Sequence, residues 1–88
     1  MAVLIRHRSE GMDSAQYDEV SPQLVEKLKT QPGFILHVTY EDDGGQLVVA
    51  EVWETKEQHD KWLEQFVTPN VPGDISQEVV QLHTVHRP

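Results

Sequence analysis

Apolar positions recur along this chain in two rhythms. Ala2, Val3, Leu4 and Ile5 form a short β-rich run ahead of Arg6, which predicts a strand over 2–7. Gly11 follows. Tyr17, Val20, Leu24 and Leu28 then recur at helical spacing, behind a capping box made by Asp13 and Gln16. Ser21-Pro22 interrupts that pattern. Proline is favourable at a first helical position behind a serine cap and costly in mid-helix, so a kink or two short helices are expected, the second over 22–30. Gln31-Pro32-Gly33 closes it. Residues 34–40 and 47–53 are rich in β-formers and flank Glu41-Asp42-Asp43-Gly44-Gly45, whose Asp-Gly step is the strongest hairpin signal in the chain. Thr55 and Gln58 make a second capping box. His59, Trp62, Leu63, Phe66 and Val67 form the apolar stripe of a second helix, stopped by Pro69 and Pro72. A last strand lies within 75–86, most clearly over 78–85.

The resulting order, β-α-β-β-α-β, is that of the ferredoxin-like sandwich, an α+β fold with both helices on one face of an antiparallel sheet. Strands two to four carry apolar residues at both parities: Phe34, Leu36 and Val38 beside Ile35, Val49 and Trp53 beside Val48 and Val52, Val79 and Val85 beside Val80 and Leu82. Strands buried on both faces read this way. With helices on one face only, the other needs a cover, and a second copy of the chain is the simplest one. A homodimer is therefore expected.

Length and charge narrow the partners. The chain has 88 residues, enough for one domain over 1–88 with a modest core, and no cysteine for disulfide or thiolate chemistry. Its formal charge of −8 argues against nucleic acid and anionic membranes as partners. The apolar start is too short for a signal segment and precedes its arginines. No run approaches the roughly 18 apolar residues of a membrane helix. A cytoplasmic protein is expected. No phosphate-binding glycine loop or nucleophile motif is present. His83 and His86 face opposite sides of a strand, and no metal-ligand spacing occurs; no metal is expected.

Pro32-Gly33-Phe34 at the start of strand two, and Glu51-Val52-Trp53-Glu54-Thr55 leading into a helix with His59, Trp62 and Phe66, carry a resemblance. With the element order, they make the chain resemble the dimeric α+β barrel superfamily, in particular antibiotic biosynthesis monooxygenase-like domains. The resemblance covers nearly the whole chain. It implies a pocket between sheet and helices, lined by the tryptophan that Trp53 matches, and activities that include cofactor-independent oxygenation of phenols. Haem degradation is set aside, because that branch needs an asparagine on strand one and a histidine on or just after helix two. Here strand one has none, and His59 stands at the helix start.

The candidate residues keep two readings each. Trp53 either closes the core or stacks on a flat ligand. Glu51 shares its face and is either a pocket base of raised pKa or half of a salt bridge to Arg6 or Arg8. His37 is either structural or a general base. A two-residue loop at Asp43-Gly44 would place His37 with Val48, Ala50 and Val52, whereas a three-residue loop could join it to Glu51 and Trp53. His59 packs over the sheet or meets substrate, and Tyr17 and Tyr40 either edge the core or bind a phenol. The reading is a cofactor-free enzyme with His37 and Glu51 as catalytic groups and Trp53, His59, Tyr17 and Tyr40 against a small aromatic molecule. It oxidises, cyclises or isomerises that molecule. The alternative is a non-catalytic dimeric binding or assembly module.

Overall fold

Asp13 opens the first helix as the spacing predicts. Its carboxylate accepts the Gln16 N–H at 2.8 Å while the Gln16 side chain accepts the Asp13 N–H at 3.0 Å. The structure, a computed structural model, describes residues 2–9, 12–69 and 75–87; Gly11, which follows the first strand, and Pro72, read as a helix stop, lie outside them. Strands β1 (Val3–Ser9), β2 (Phe34–Glu41), β3 (Leu47–Trp53) and β4 (Ile75–Gln81) form one antiparallel sheet in the order β2-β3-β1-β4. Helices α1 (Ser14–Leu28) and α2 (Lys56–Trp62) complete the ferredoxin-like α+β order. Val3, Ile5 and Trp53 on one sheet face pack with Leu28 of α1 and Trp62 of α2, so this face carries the core.

Three expectations need correction. The first helix is one element that runs through Pro22. The bond lost there is the one Pro22 would make to the Asp18 carbonyl, and both residues lie on the exposed side, where water can serve that carbonyl. The last strand spans Ile75–Gln81 and not 78–85, because its partner β1 begins at Val3, opposite Gln81. Past that pair one further bond joins the Leu82 N–H to the Ala2 carbonyl at 3.0 Å. The second capping box is half formed. Thr55 accepts the Gln58 N–H at 3.2 Å, but the Gln58 side chain turns to the Thr55 hydroxyl. Beyond α2 the chain continues as a π-helical turn, Leu63–Val67, closed by the Thr68 N–H on the Leu63 carbonyl at 2.9 Å.

On the other sheet face, Leu36, Val38 and Tyr40 of β2 and Val80 of β4 are between 42% and 51% exposed. Arg6, Arg8, Asp42 and Glu78 form an ion-pair cluster that lies with them. These pairs are partly exposed and individually weak.

Gly33 joins α1 to β2 at φ +83°, and a Cβ there would lie 1.9 Å from the Gln58 Oε1 atom. Gly33→Ala is expected to cost about 1–2 kcal/mol for the left-handed backbone alone. A urea melt should show a lower midpoint with an unchanged slope; an unchanged midpoint would mean the turn does not need this conformation.

Candidate active site

The β2–β3 hairpin sets which side chains meet. The Asp42 N–H bonds the Gln46 carbonyl at 3.0 Å, and the Gly45 N–H bonds the Asp42 carbonyl at 2.9 Å. That leaves a three-residue loop, 43–45, with Gly45 at φ +81°. The Asp42 carboxylate locks it by accepting the N–H groups of Gly44 and Gln46, each at 3.0 Å. The loop places His37 directly opposite Glu51. On the other side of β3, Ile5 lies opposite Glu51 and Val3 opposite Trp53. Residues facing each other across a ladder share a sheet face, so His37, Glu51 and Trp53 all point toward the helices.

There they form a continuous hydrogen-bonded chain. The Trp53 indole N–H donates to Glu51 Oε1 at 3.1 Å. His37 Nδ1 meets Glu51 Oε2 at 2.7 Å, and His37 Nε2 meets the Tyr17 hydroxyl at 2.5 Å. An ionised Glu51 only accepts, so His37 donates from Nδ1, and the Nε2 of the neutral ring accepts a hydrogen bond from the Tyr17 hydroxyl. A second chain runs beside the first. His7 Nε2 and His59 Nε2 are 2.7 Å apart, and His59 Nδ1 meets Asp60 Oδ1 at 2.9 Å.

A cavity of about 80 Å³ opens between the sheet and the helices. His7, Tyr17, His37 and Glu51 line it among apolar side chains that include Leu24 and Leu28. Trp53 is not part of that lining. It is fully buried, packed edge-on against Phe34 and His59. It acts in the core and as a donor to Glu51, where a stacking wall was expected. His59 also lies behind the lining, end to end with His7 through their Nε2 atoms, the ring planes 22° apart. Tyr40 stands opposite Val48 on the other sheet face, away from the cavity. The indole at the cavity is that of Trp62. His7 is the residue that sequence reasoning undervalued. Its alternation with Val3 and Ile5 was the available signal, since it puts an imidazole on the core face of β1.

Glu51 makes neither of the contacts expected of it. Arg6 and Arg8 point to the other face, toward Glu78 and Asp42. Burial by itself raises the Glu51 pKa. The hydrogen bonds from His37 and Trp53 and the nearby imidazoles outweigh it, and the carboxyl is held below its ordinary range. Burial raises the Tyr17 phenol. Burial, followed by the neighbouring His59, lowers His7 to about 4. His7, Glu51 and His59 bring donor atoms of metal-binding type within 4.8 Å of one another. The short Nε2–Nε2 contact, however, holds a proton, and Glu51 is already engaged by two donors. The group is a hydrogen-bonded cluster; a metal would have to break it open.

Both lowered groups make the fold acid-sensitive. The His7 pKa is depressed on folding, so its contribution is complete above about 6.5 and is lost as pH falls toward about 4, because the unfolded chain takes the proton first. Glu51 adds to this below its ordinary pKa, and its contribution disappears as pH falls through the folded value. Unfolding free energy should drop by roughly 3 kcal/mol between pH 6.5 and 4 through His7 alone. Urea melts across this range should show a shallower decline for His7→Gln; an equal decline would remove His7 as the cause.

The comparisons agree with this architecture. The family model for antibiotic biosynthesis monooxygenase matches residues 2–65. No curated protein matches the chain. Among solved structures, it is similar to SnoaB, a cofactor-independent oxygenase from Streptomyces nogalater, at 15% identity and a TM-score of 0.63, covering 96% of this chain and 93% of that one. It is also similar to Rv0793 from Mycobacterium tuberculosis, at 16% identity and a TM-score of 0.62 over 98% and 97% of the two chains. A conserved protein from Methanosarcina mazei Go1 aligns at 11% identity and a TM-score of 0.69 over 92% of each. At such identities the structural likeness speaks for the fold alone, but the family model spans most of the sequence: this chain belongs to the antibiotic biosynthesis monooxygenase family.

Proposed function

We propose that this protein is a cofactor-independent oxygenase of small phenols or enols, with His37 as the base. The observation that carries the reading is the Tyr17–His37–Glu51 chain at the wall of a largely apolar cavity. Glu51 holds the His37 ring in the tautomer whose Nε2 accepts, and stabilises the imidazolium once it forms. A substrate hydroxyl reaches His37 through the Tyr17 oxygen or in its place. His37 takes the proton, and the carbanion form of the substrate passes one electron to dioxygen. The radical pair joins as a peroxide, which recovers the proton and loses water. Phenol and dioxygen thus give quinone and water, with no bound redox group. The apolar lining keeps competing water out.

Cavity size restricts the substrate. A cavity of roughly 150 Å³ holds benzene, and this one is about 80 Å³. Even a single ring therefore needs α1 and the π-helical turn to move apart, and a polycyclic substrate needs a larger movement. The same pocket and base could serve a cyclisation or isomerisation without oxygen. Oxygen uptake should be followed with monocyclic phenols and enols. His37→Gln is expected to lower the rate at least ~100-fold, the usual contribution of a general base. Binding without turnover in the unmodified protein would favour a ligand-binding module instead.

The working form in this reading is a cytoplasmic homodimer, its sheets facing each other through Leu36, Val38, Tyr40 and Val80. The half-exposed apolar side chains on that face support it. Light scattering at micromolar concentration should give twice the chain mass, and Val38→Glu should reduce it to one. A monomeric unmodified protein would overturn this assembly.

A further inference from the structure

His7 has a buried Nδ1 atom with no hydrogen-bond partner, in a residue that lines the cavity and is only 6% exposed. What that atom can accept or donate follows from its neighbours. Asp60 bonds Lys56 Nζ through Oδ2 at 2.5 Å and His59 Nδ1 through Oδ1 at 2.9 Å. Burial raises its pKa, but these two partners hold the carboxyl below its ordinary range, so it is ionised and only accepts. His59 therefore carries a proton on Nδ1. The Nε2–Nε2 contact at 2.7 Å holds one more proton. If His59 held it, a fully buried imidazole would be a cation and His7 would keep an orphaned N–H. If His7 holds it, both rings are neutral and the orphan is a bare acceptor, the lesser cost. His7 Nε2 thus donates to His59 Nε2, and His7 Nδ1 carries a free lone pair.

We propose that His7 is a second base of this cavity, taking a hydrogen bond and then a proton from a hydroxyl of the bound phenol or enol, and that His59 and Asp60 relay that proton to solvent. The ligand class rests on the oxygenase reading above; the relay does not. The ligand O–H proton passes to His7 Nδ1, the His7 Nε2 proton to His59 Nε2, and the His59 Nδ1 proton to Asp60 Oδ1. Asp60, 41% exposed at its side chain, releases it to water. Each ring gains a proton on one nitrogen and gives one up from the other, so both stay neutral, and Asp60 carries the proton that the ligand lost. Both rings then stand in the opposite tautomer, and returning a proton to the product by the same route resets them. The relay therefore suits a reaction that removes a proton early and restores it late. Charged and titratable groups around His7 are His59 and Asp60 from α2, Glu51 from β3 and His37 from β2. Glu51 is the carboxylate that favours a transient cation on His7.

Long-range proton–nitrogen correlation spectra of the nitrogen-15-labelled chain at pH 7 test the relay, first free and then with phenol. In the free chain His7 should be protonated on Nε2 and bare on Nδ1, and His59 protonated on Nδ1. Asp60→Ala, a change at a partly exposed position, should move both rings toward averaged tautomers. Added phenol should shift the His7 Nδ1 resonance upfield in a saturable way. A His7 protonated on Nδ1, or tautomers untouched by Asp60→Ala, would overturn the relay. A His7 Nδ1 resonance unmoved at saturating phenol would overturn the ligand contact. If phenol fails to bind, the phenol reading of the cavity falls and the contact with it, while the free-chain spectrum still decides the relay.

Discussion

A carboxylate buried under a helical layer is the constraint on which this structure turns. Glu51 is 4% exposed on the central strand β3, and an ionised carboxyl in such a place is tolerated only when its oxygens are occupied by donors. Each oxygen has one: the Trp53 indole on Oε1, the His37 imidazole on Oε2. The second donor brings Tyr17 with it, since the imidazole's other nitrogen also needs a partner in a half-buried setting. One buried charge thus organises residues from α1, β2 and β3 into a single polar seam.

That seam depends on the loop that joins its two strands, β2 and β3, at their far end. With Gly45 left-handed and Asp42 accepting two backbone N–H groups, the hairpin closes over three residues. A register shifted by one residue would turn His37 to the opposite face, and Glu51 would lose its principal donor. The acidic turn, which reads as a solvated surface, is therefore what aligns the chemistry. The ion pair from Asp42 to Arg8 ties the same loop to β1 at 3.5 Å.

The two hydrogen-bonded chains flank one cavity but differ in kind. Tyr17–His37–Glu51 ends on a buried carboxylate and stores charge within the protein. His7–His59–Asp60 ends on a partly exposed carboxylate and leads outward. On the function proposed above, such a pair would serve both the removal and the return of a substrate proton.

Much of the fold was legible in local pattern. Element order, the Asp13 cap and the hairpin follow from periodicity, side-chain hydrogen bonds and turn chemistry, all of which act between near neighbours. The two-sided apolar strands likewise foretold a second sheet face rich in exposed valine and leucine. Pro22 misled, because its cost depends on whether the freed carbonyl faces water, and that depends on the whole helix's placement. His37 with Glu51 was left open for want of one residue of register. Trp53, Tyr40 and His7 could be placed only by the assembled layers: alternation gives a face, but whether a side chain on that face meets a cavity, a neighbouring ring or solvent is decided by what packs above it. By itself the sequence determined the order of elements and the face of each strand residue, because both are local. Only the tertiary structure decided which imidazoles meet the buried carboxylate and which line the cavity, because those contacts join residues brought together by register and packing.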